Sequence, residues 1–427
     1  GTGKSYLLGA AREAWEAEGY RVHGMTLSGI AAENLESGSG IGSHTVANRL
    51  WYWEQDRERL TSKDIVVVDE AGMLGSRQMA AILAEAHRSG AKVALVGDPE
   101  QLQAIEAGAA YRAIAEKVGY VELTEIRRQK EGWQQEATKN LASARTADAL
   151  SAYDRHDNIH TFDTKASAMT SMIEQWDEVR SQSPDKSQLI LAYTRDDVRT
   201  LNEQARSMRH AQGELGKDHL IETSRGARTF AEGDRVYFLR NENRELFVKN
   251  GTLGTIEKIN GNQLNVRLDA VDGKQARAVS VDLNKYNDLD HGYAATVHKA
   301  QGVTVDRTHV LASKHFDRHS SYVAMSRHRE GADLYVSRED FPSMDRLSQS
   351  LSQERAKDVT LDYSKIRGFE TGTSTPAREK DQMPLHPQHT NRVVSSGVEK
   401  AEPVIALTSE ARLKEAEKRL ELRAYQK

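Results

Sequence analysis

Near the start of the 427-residue chain, Lys4 and Ser5 follow Gly1-Thr2-Gly3. Gly3-Lys4-Ser5 is the closing half of the pattern G-x-x-x-x-G-K-[ST], in which a glycine turn aims backbone N–H groups at phosphate, Lys neutralises charge and Ser holds magnesium. The first glycine of the pattern and the strand feeding the turn are expected upstream of Gly1, so the sequence reads as a piece of a longer protein cut through its nucleotide site. By itself G-K-S equally fits an ordinary helix N-terminus. Ile65-Val66-Val67-Val68-Asp69-Glu70 is the second chemical stretch. Four β-branched residues without alternation predict a strand buried on both faces, with the acidic pair at its carboxyl end, where open α/β sheets place ligands. Asp69 would hold Mg²⁺ there and Glu70 would polarise the water that attacks a γ-phosphate. Residues 92–96 predict another buried strand, ending in Gly97-Asp98-Pro99-Glu100-Gln101-Leu102. Gln101 is a neutral group able to sense phosphate or orient water, or else one corner of a β-turn. Arg127-Arg128 is either a fork for phosphoryl oxygens or a solvated surface pair.

Parallel strands must carry these residues, and helices must connect the strands. Residues 6–18 place Leu7, Leu8, Ala11, Ala14 and Trp15 at helical spacing, and Gly19 stops the run. A strand over 20–26, a small helix over 30–35, a flexible turn at 38–42 and a helix beginning at Ser43-His44-Thr45 follow. Trp51-Tyr52-Trp53 falls in that helix. A helix over 76–87 and a short strand over 121–124 complete a first parallel α/β unit. Residues 132 to about 182 read as mainly helical and charged. A second α/β unit opens with a strand at 187–193 and a helix from 195 to about 209. From about 213 to 285 the pattern becomes β-rich, punctuated by Asn250-Gly251, Asn260-Gly261 and Asp272-Gly273. These hairpin signals predict a small β-barrel inserted in the second unit. The sheet resumes with Tyr293 to Gly302, a strand at 307–311, a helix holding Tyr322 to Arg329 and a strand at 333–336. Beyond Phe341-Pro342 the chain turns polar and four of its seven prolines lie after Gly372. Residues 345–405 therefore read as linker or disorder, followed by a charged helix over 408–425.

Cysteine is absent, which excludes a disulfide scaffold and thiolate metal sites and fits a reducing cytoplasm. No run approaches about 18 apolar residues, so no membrane insertion is expected. The net charge of -4 argues against coating nucleic acid by bulk basic charge, and leaves open a narrow cleft that grips a strand locally. The histidines show no H-E-x-x-H spacing, so no metal beyond Mg²⁺ is expected.

Taken in order, these stretches resemble the superfamily 1 helicases, and among them the RecD-like 1B branch. The matching residues are Gly1 to Ser5, Thr26-Leu27-Ser28-Gly29, Ser43-His44-Thr45, Asp69 to Met73, Gly97 to Leu102, Arg128-Gln129, Thr296 to Gly302 and Tyr322 to Arg327. Leu27 to Ala32 and Thr124 to Gln129 are most similar to the helicase portion of TraA-type conjugative relaxases. The resemblance covers about residues 1–340. It implies an α/β fold of two tandem RecA-like P-loop NTPase domains, with a small SH3-like β-barrel insertion in the second. The first domain would take residues 1–130, a helical connector 131–186, the second domain 187–212 and 286–342, the barrel 213–285, and a disordered linker with a charged helix 343–427.

The resemblance further implies an ATP-dependent 5′-3′ single-stranded DNA translocase or helicase serving plasmid transfer in a bacterial cytoplasm, with single-stranded DNA and the conjugative transfer apparatus as partners. ATP would sit between the domains on Gly1, Thr2, Gly3, Lys4, Ser5 and Asp69, with Ser5 and Asp69 holding Mg²⁺. Glu70, Gln101 and Arg128 would be catalytic, and Arg327 would act as an arginine finger in cis. Ser28, Thr45, Thr296 and His298 match positions that touch DNA in the family. Other readings stand beside these: His298 as a structural histidine, Trp51 and Trp53 as packing residues, and the barrel as a plain insert. Residues 48–64 leave only a helix and a turn where relatives often carry a strand-separating hairpin, so duplex separation is expected to use another element or to be poor. The alternatives in function are a vestigial helicase that binds DNA or a partner without hydrolysis, and a nucleotide switch without nucleic acid. With the glycine turn incomplete, the 427 residues are expected to bind ATP poorly.

Overall fold

The computed structural model describes residues 3–98, 100–101, 110–123, 126–242, 244–269 and 276–354. The expectations for Gly1, Thr2, Pro99, Leu102, Thr124, the Asp272-Gly273 turn and the tail from residue 355 lie outside these residues.

Gly3, at φ 77°, turns the chain into α1 (Lys4–Ala17) in a left-handed conformation that favours glycine. There follow β1 (Arg21–Thr26), α2 (Gly29–Ser39), β2 (Ser43–Thr45), α3 (Val46–Glu54), β3 (Asp64–Val68), α4 (Ser76–Ser89), β4 (Lys92–Leu95) and α5 (Ala110–Val118). Among the described residues these strands form a parallel sheet in the order β2-β1-β3-β4. β3 is buried throughout, as its β-branched run demands. Met25, Val66, Val68, Ile82 and Trp53 share one core, and Leu8, Leu35, Ile41 and Val67 a second. Trp53 is therefore a packing residue, whereas Trp51 is half exposed. Ser43-His44-Thr45 does not begin a helix: it pairs with Gly24–Thr26 as a short strand before Thr45 caps α3. The helix expected to stop at residue 35 continues to Ser39, where Gly40 caps it at φ 69°. Residues 121–123 form no strand, and Tyr120 and Val121 are 71% and 70% exposed.

The chain continues with α6 (Gly132–Ala142), α7 (Thr146–Arg155), β5 (Ile159–Phe162), α8 (Lys165–Gln182), β6 (Gln188–Ala192) and α9 (Arg195–Ala211). A β-rich run comprises β7 (His219–Thr223), β8 (Gly226–Phe230), β9 (Arg235–Phe238), β10 (Leu253–Asn260), β11 (Gln263–Leu268), β12 (Ala278–Asp282) and β13 (Leu289–His291). Then come β14 (Ala294–Thr296), β15 (Val305–Leu311), α10 (Arg318–Met325), β16 (His328–Ser337) and α11 (Met344–Leu351).

A second parallel sheet has the order β14-β6-β15-β16-β5. Its edge strand corrects the reading of 131–186 as a helical connector: Ile159–Phe162 pairs with Leu334–Ser337, and Met169, Met172 and Trp176 of α8 pack onto the sheet. Ile159, Thr161 and Phe162 favour a strand, but a run of 4 residues between two helices is too short to stand out, and tertiary pairing decides the matter. The reading of 343 onward as linker is corrected at α11, where Ser343 caps the helix and Leu347 and Leu351 are buried in the main core. Between α9 and β14, strands β9 to β13 form an antiparallel sheet in the order β12-β11-β10-β9-β13, beside the separate β7-β8 hairpin. This insert extends to His291 rather than 285, because β13 pairs with β9. Phe230, Val236, Phe238, Val266 and Val281 give it a core of its own. Asp234, fully buried, ties it to the second sheet by accepting from Arg206 Nε at 2.9 Å and Tyr293 OH at 2.6 Å.

Asp64 gives the first unit a measurable acid sensitivity. Burial alone would raise its pKa, but His23, the Thr61 hydroxyl and N–H, and Arg21 outweigh burial and bring the carboxyl to about 2. A value depressed below the unfolded carboxylate's, about 3.9, means stabilisation that is fully present above that value and lost as pH falls through about 2. Urea midpoints taken from about pH 5 down to about pH 2 should fall for the wild type and fall less for Asp64→Asn, which has no carboxylate to protonate. Equal slopes would remove Asp64 from this account.

Candidate functional site

The carboxyl ends of β3 and β4 and the first turn of α1 converge. Asp69 and Glu70 follow β3, Asp98 and Gln101 follow β4, and Lys4 opens α1. Lys4 Nζ is buried without a hydrogen-bond partner. Burial alone would lower its pKa, but the surrounding negative charge of Glu70, Asp69 and Asp98 outweighs burial and raises it. Burial raises the Asp69 pKa against the opposing charge of Lys4, and Asp69 Oδ1 accepts the Glu70 N–H at 2.9 Å. Glu70 is held at φ 54°, a left-handed conformation that costs a non-glycine residue about 1–3 kcal/mol and collects at functional sites. A buried ammonium that faces carboxylates without touching them fits a polyphosphate, whose oxygens would supply the missing acceptors. Mg²⁺ keeps most of its waters and takes one or two protein ligands beside phosphate oxygens, a share that the Asp69 carboxylate and the Ser5 hydroxyl could supply. Ser5 packs toward Gly38 of α2, where a Cβ would stand 3.3 Å from its Oγ, and no contact between Ser5 and Asp69 is among those described.

α10 and the turn after it face this group. Arg327 is 2% exposed; its Nε donates to the Val323 carbonyl at 3.1 Å and its Nη2 to Ser326 Oγ at 3.2 Å. Burial lowers its pKa, while Glu70, Tyr322 and Asp98 oppose the fall. Arg128 is half-buried and bonded to the second sheet while Arg127 is exposed, so the two do not form a solvated surface pair. Its Nη1 donates to the Ser326 carbonyl at 2.7 Å, and burial first, then the charge of Arg327, brings its pKa to about 9. Guanidinium groups stay cationic in proteins, and two of them held close together out of water are unfavourable until an anion joins them. Gln129, 1% exposed, donates to the carbonyls of Ser326 and His328 at 3.1 and 3.2 Å, so the residues after Arg128 grip the turn that carries Arg327. Arg127 instead crosses Gly3, its Cδ 3.8 Å from where a Cβ would stand.

Several side chains join the two sheets. Tyr322 OH donates to Asp98 Oδ2 at 3.0 Å, and Gln101 Nε2 donates to the same oxygen at 3.1 Å. Gln301 Nε2 reaches Glu70 Oε2 at 3.4 Å and Gln101 Oε1 at 3.5 Å. Glu100 pairs with Arg318, and its carbonyl meets His319 Nδ1 at 2.9 Å. Asn34 of α2 donates to the Gly302 carbonyl at 3.3 Å. Tyr111 lies against Gly97, where a Cβ would come within 3.0 Å of its ring. Lys4, Asp69, Glu70, Gln101, Arg128 and Arg327 are thus brought to one interface. Roles for Asp98, Tyr111, Tyr322 and Gln301 were not assigned from sequence, although three of the four lie inside the matched motifs.

Ser28 and Thr45 sit at the carboxyl ends of β1 and β2. Each caps a helix: Ser28 Oγ accepts the Ala31 N–H and Thr45 Oγ1 the Asn48 N–H, both at 3.2 Å. A hydroxyl that accepts still has its O–H to donate outward. Thr296 ends β14, and its carbonyl accepts the Lys299 and Ala300 amides at 2.9 and 3.1 Å. The ring of His298 stands edge-on to Tyr193 with centroids 5.6 Å apart, and burial lowers its pKa, leaving a neutral imidazole. Lys299 Nζ lies 4.2 Å from the ring centre of Tyr237 in β9; burial, with Arg225, brings its pKa to about 8. The insert also touches α2: at Gly251, φ 104°, a Cβ would come within 2.3 Å of Ile30 Cδ1.

A family model described as an AAA domain matches residues 1–164, and one described as a viral superfamily 1 RNA helicase core domain matches residues 219–336. The conjugal transfer protein TraA of Rhizobium radiobacter is 47% identical over 363 residues, 85% of this chain and 32% of that protein. The ATP-dependent RecD2 DNA helicase of Deinococcus radiodurans is 30% identical over 356 residues, 77% of this chain and 45% of that protein. The chain spans about a third of the length of the TraA proteins it matches. Among solved structures, Bacteroides Pif1 bound to single-stranded DNA aligns over 86% of this chain and 91% of that one, with a TM-score of 0.53 at 18% identity, a likeness in fold. Among the described residues no helix is long and apolar enough to cross a membrane.

Proposed function

By sequence the chain is a RecD-like superfamily 1 helicase that resembles part of the TraA conjugal transfer proteins, and on that premise we propose that it couples ATP hydrolysis to 5′-3′ movement along single-stranded DNA. In this reading the two parallel sheets are tandem RecA-like domains, and the antiparallel insert is an SH3-like barrel that walls the strand path. One observation carries it: the buried Lys4 ammonium, the buried Arg327 and the half-buried Arg128, none of them in an ion pair among the described residues, meet where the carboxyl ends of the first sheet's strands face the turn that enters β16 of the second. Cations with their donors left unpaired suit a polyphosphate, whose oxygens supply acceptors.

ATP, when bound with Mg²⁺, supplies the γ-phosphoryl group and the metal charge that shields it. Lys4 neutralises phosphate oxygens, and Ser5 and Asp69 would hold the metal. Glu70 takes a proton from the attacking water, and Gln101 orients that water. Arg128 and Arg327 meet the charge that spreads over the phosphoryl oxygens, which draws α10 toward the first sheet. The motion is passed to a strand held by Ser28 and Thr45 on one sheet and Thr296 and His298 on the other, through phosphate and sugar contacts that ignore sequence. In the cell this motor would act on plasmid DNA with the conjugative transfer apparatus, in the bacterial cytoplasm.

The test pairs two measurements on the protein. ATP turnover should rise on adding single-stranded DNA, and strand affinity should fall about tenfold between about 50 and 200 mM salt, as phosphate contacts require. Strand binding with no turnover would overturn the motor and favour a non-hydrolysing module. Turnover indifferent to DNA would favour a nucleotide switch.

A further inference from the structure

Gln301 lies in the loop after β14, five residues beyond Thr296 in the stretch that also holds His298. Its Nε2 reaches toward Glu70 Oε2 at 3.4 Å and Gln101 Oε1 at 3.5 Å, while its own Oε1 is buried with no hydrogen-bond partner. The neighbours set which way this amide points. An ionised carboxylate only accepts, and Gln101, whose Nε2 is engaged by Asp98 at 3.1 Å, presents its oxygen. The N–H side of Gln301 must therefore face Glu70 and Gln101, which leaves its oxygen beside them without a donor.

A buried amide oxygen in this state is unfavourable, and the groups flanking it specify what would satisfy it. Glu70 and the Gln301 oxygen are both acceptors, and a water molecule carries two donors. We propose that Gln301 is a catalytic residue contributed by the second sheet: its N–H holds the Glu70 carboxylate, and its oxygen takes the second hydrogen of the attacking water. This rests on the ATP-hydrolysis reading. In the step, the water oxygen bonds to the γ-phosphorus and the bond from that phosphorus to the β,γ-bridging oxygen breaks. ADP leaves with the electron pair, one water proton passes to Glu70, and the other stays on the phosphate product. The contacts at 3.4 and 3.5 Å are long, as catalytic hydrogen bonds often are before substrate closes the site.

Gln301→Met keeps the volume and removes both polar atoms; Gln301→Glu puts a second carboxylate beside Glu70. The Met variant should lower strand-stimulated kcat by about 10- to 100-fold, with KM for ATP and strand affinity within about threefold of wild type. The Glu variant keeps an acceptor oxygen but loses the N–H that faces Glu70, and should lower strand-stimulated kcat at least as far as the Met variant. A Met variant with kcat within about twofold of wild type overturns the proposal. So does a kcat loss matched by an equal loss of ATP affinity, or a Glu variant with wild-type kcat. Wild-type protein that shows no strand-stimulated turnover would overturn the motor reading itself, whereas an active wild type beside an equally active Met variant overturns the role of Gln301 alone.

Discussion

Glu70→Gln should lower strand-stimulated ATP turnover by about 10²- to 10⁴-fold while leaving ATP binding intact or tighter. Both halves of the expectation follow from where Glu70 stands. It follows the most buried strand of the first sheet in a strained left-handed conformation, with its carboxylate directed at Gln301 of the other sheet. Glutamine keeps the size and the backbone geometry and cannot take a proton from water. The negative charge of Glu70 also acts on both Lys4 and Arg327. Removing it takes a repulsive charge away from an incoming γ-phosphate, so affinity is not expected to fall. Phosphate-release kinetics and a nucleotide-binding titration on the same variant check the two halves. Turnover that survives the substitution would remove Glu70 as the base.

Arg327→Met should abolish turnover, by about 10³-fold or more for an arginine finger, without lowering thermal stability. Loss of activity without loss of stability is unusual for a residue only 2% exposed. Arg327 forms no ion pair among the described residues, and its hydrogen bonds run to its own helix and its neighbour Ser326. Replacing an unpaired buried cation by an apolar chain of similar length is commonly neutral or stabilising. A structural role predicts the reverse, a drop in melting temperature along with activity. Thermal melts beside kcat distinguish the two, and a variant that melts early would falsify the finger as its main role. Arg327→Ala is the poorer probe, because the cavity it leaves is destabilising in its own right.

The parts of the fold readable from sequence were those where one physical rule acted alone. Val66, Val67 and Val68 have no alternation, so β3 had to be buried on both faces, and the acidic pair had to emerge at its end. Asn260-Gly261 could only be a tight turn, and it joins β10 to β11. β5 was missed because it is only 4 residues long between two helices and exists through its pairing with β16. Ser43–Thr45 was assigned to a helix because the same Thr45 that ends β2 caps α3, and local chemistry cannot divide those two roles. In the site, Lys4, Asp69 and Glu70 were legible because phosphate chemistry demands those types at a strand end. Tyr322 and Gln301 were not, since their partners Asp98 and Glu70 stand 224 and 231 positions away and no spacing rule reaches so far.

The bonds from Tyr322 to Asp98, from Gln101 to Asp98, and from Gln301 to Gln101 and Glu70 pass from the second sheet to the first, back to the second, and to the first again. Heredity feels this alternation. Neither half of the gene encodes the whole candidate site, so a recombinant joining one relative's first sheet to another's second inherits the two ends of three contacts from different parents. An exchange that respected the boundary between the two sheets would still cut through the candidate site.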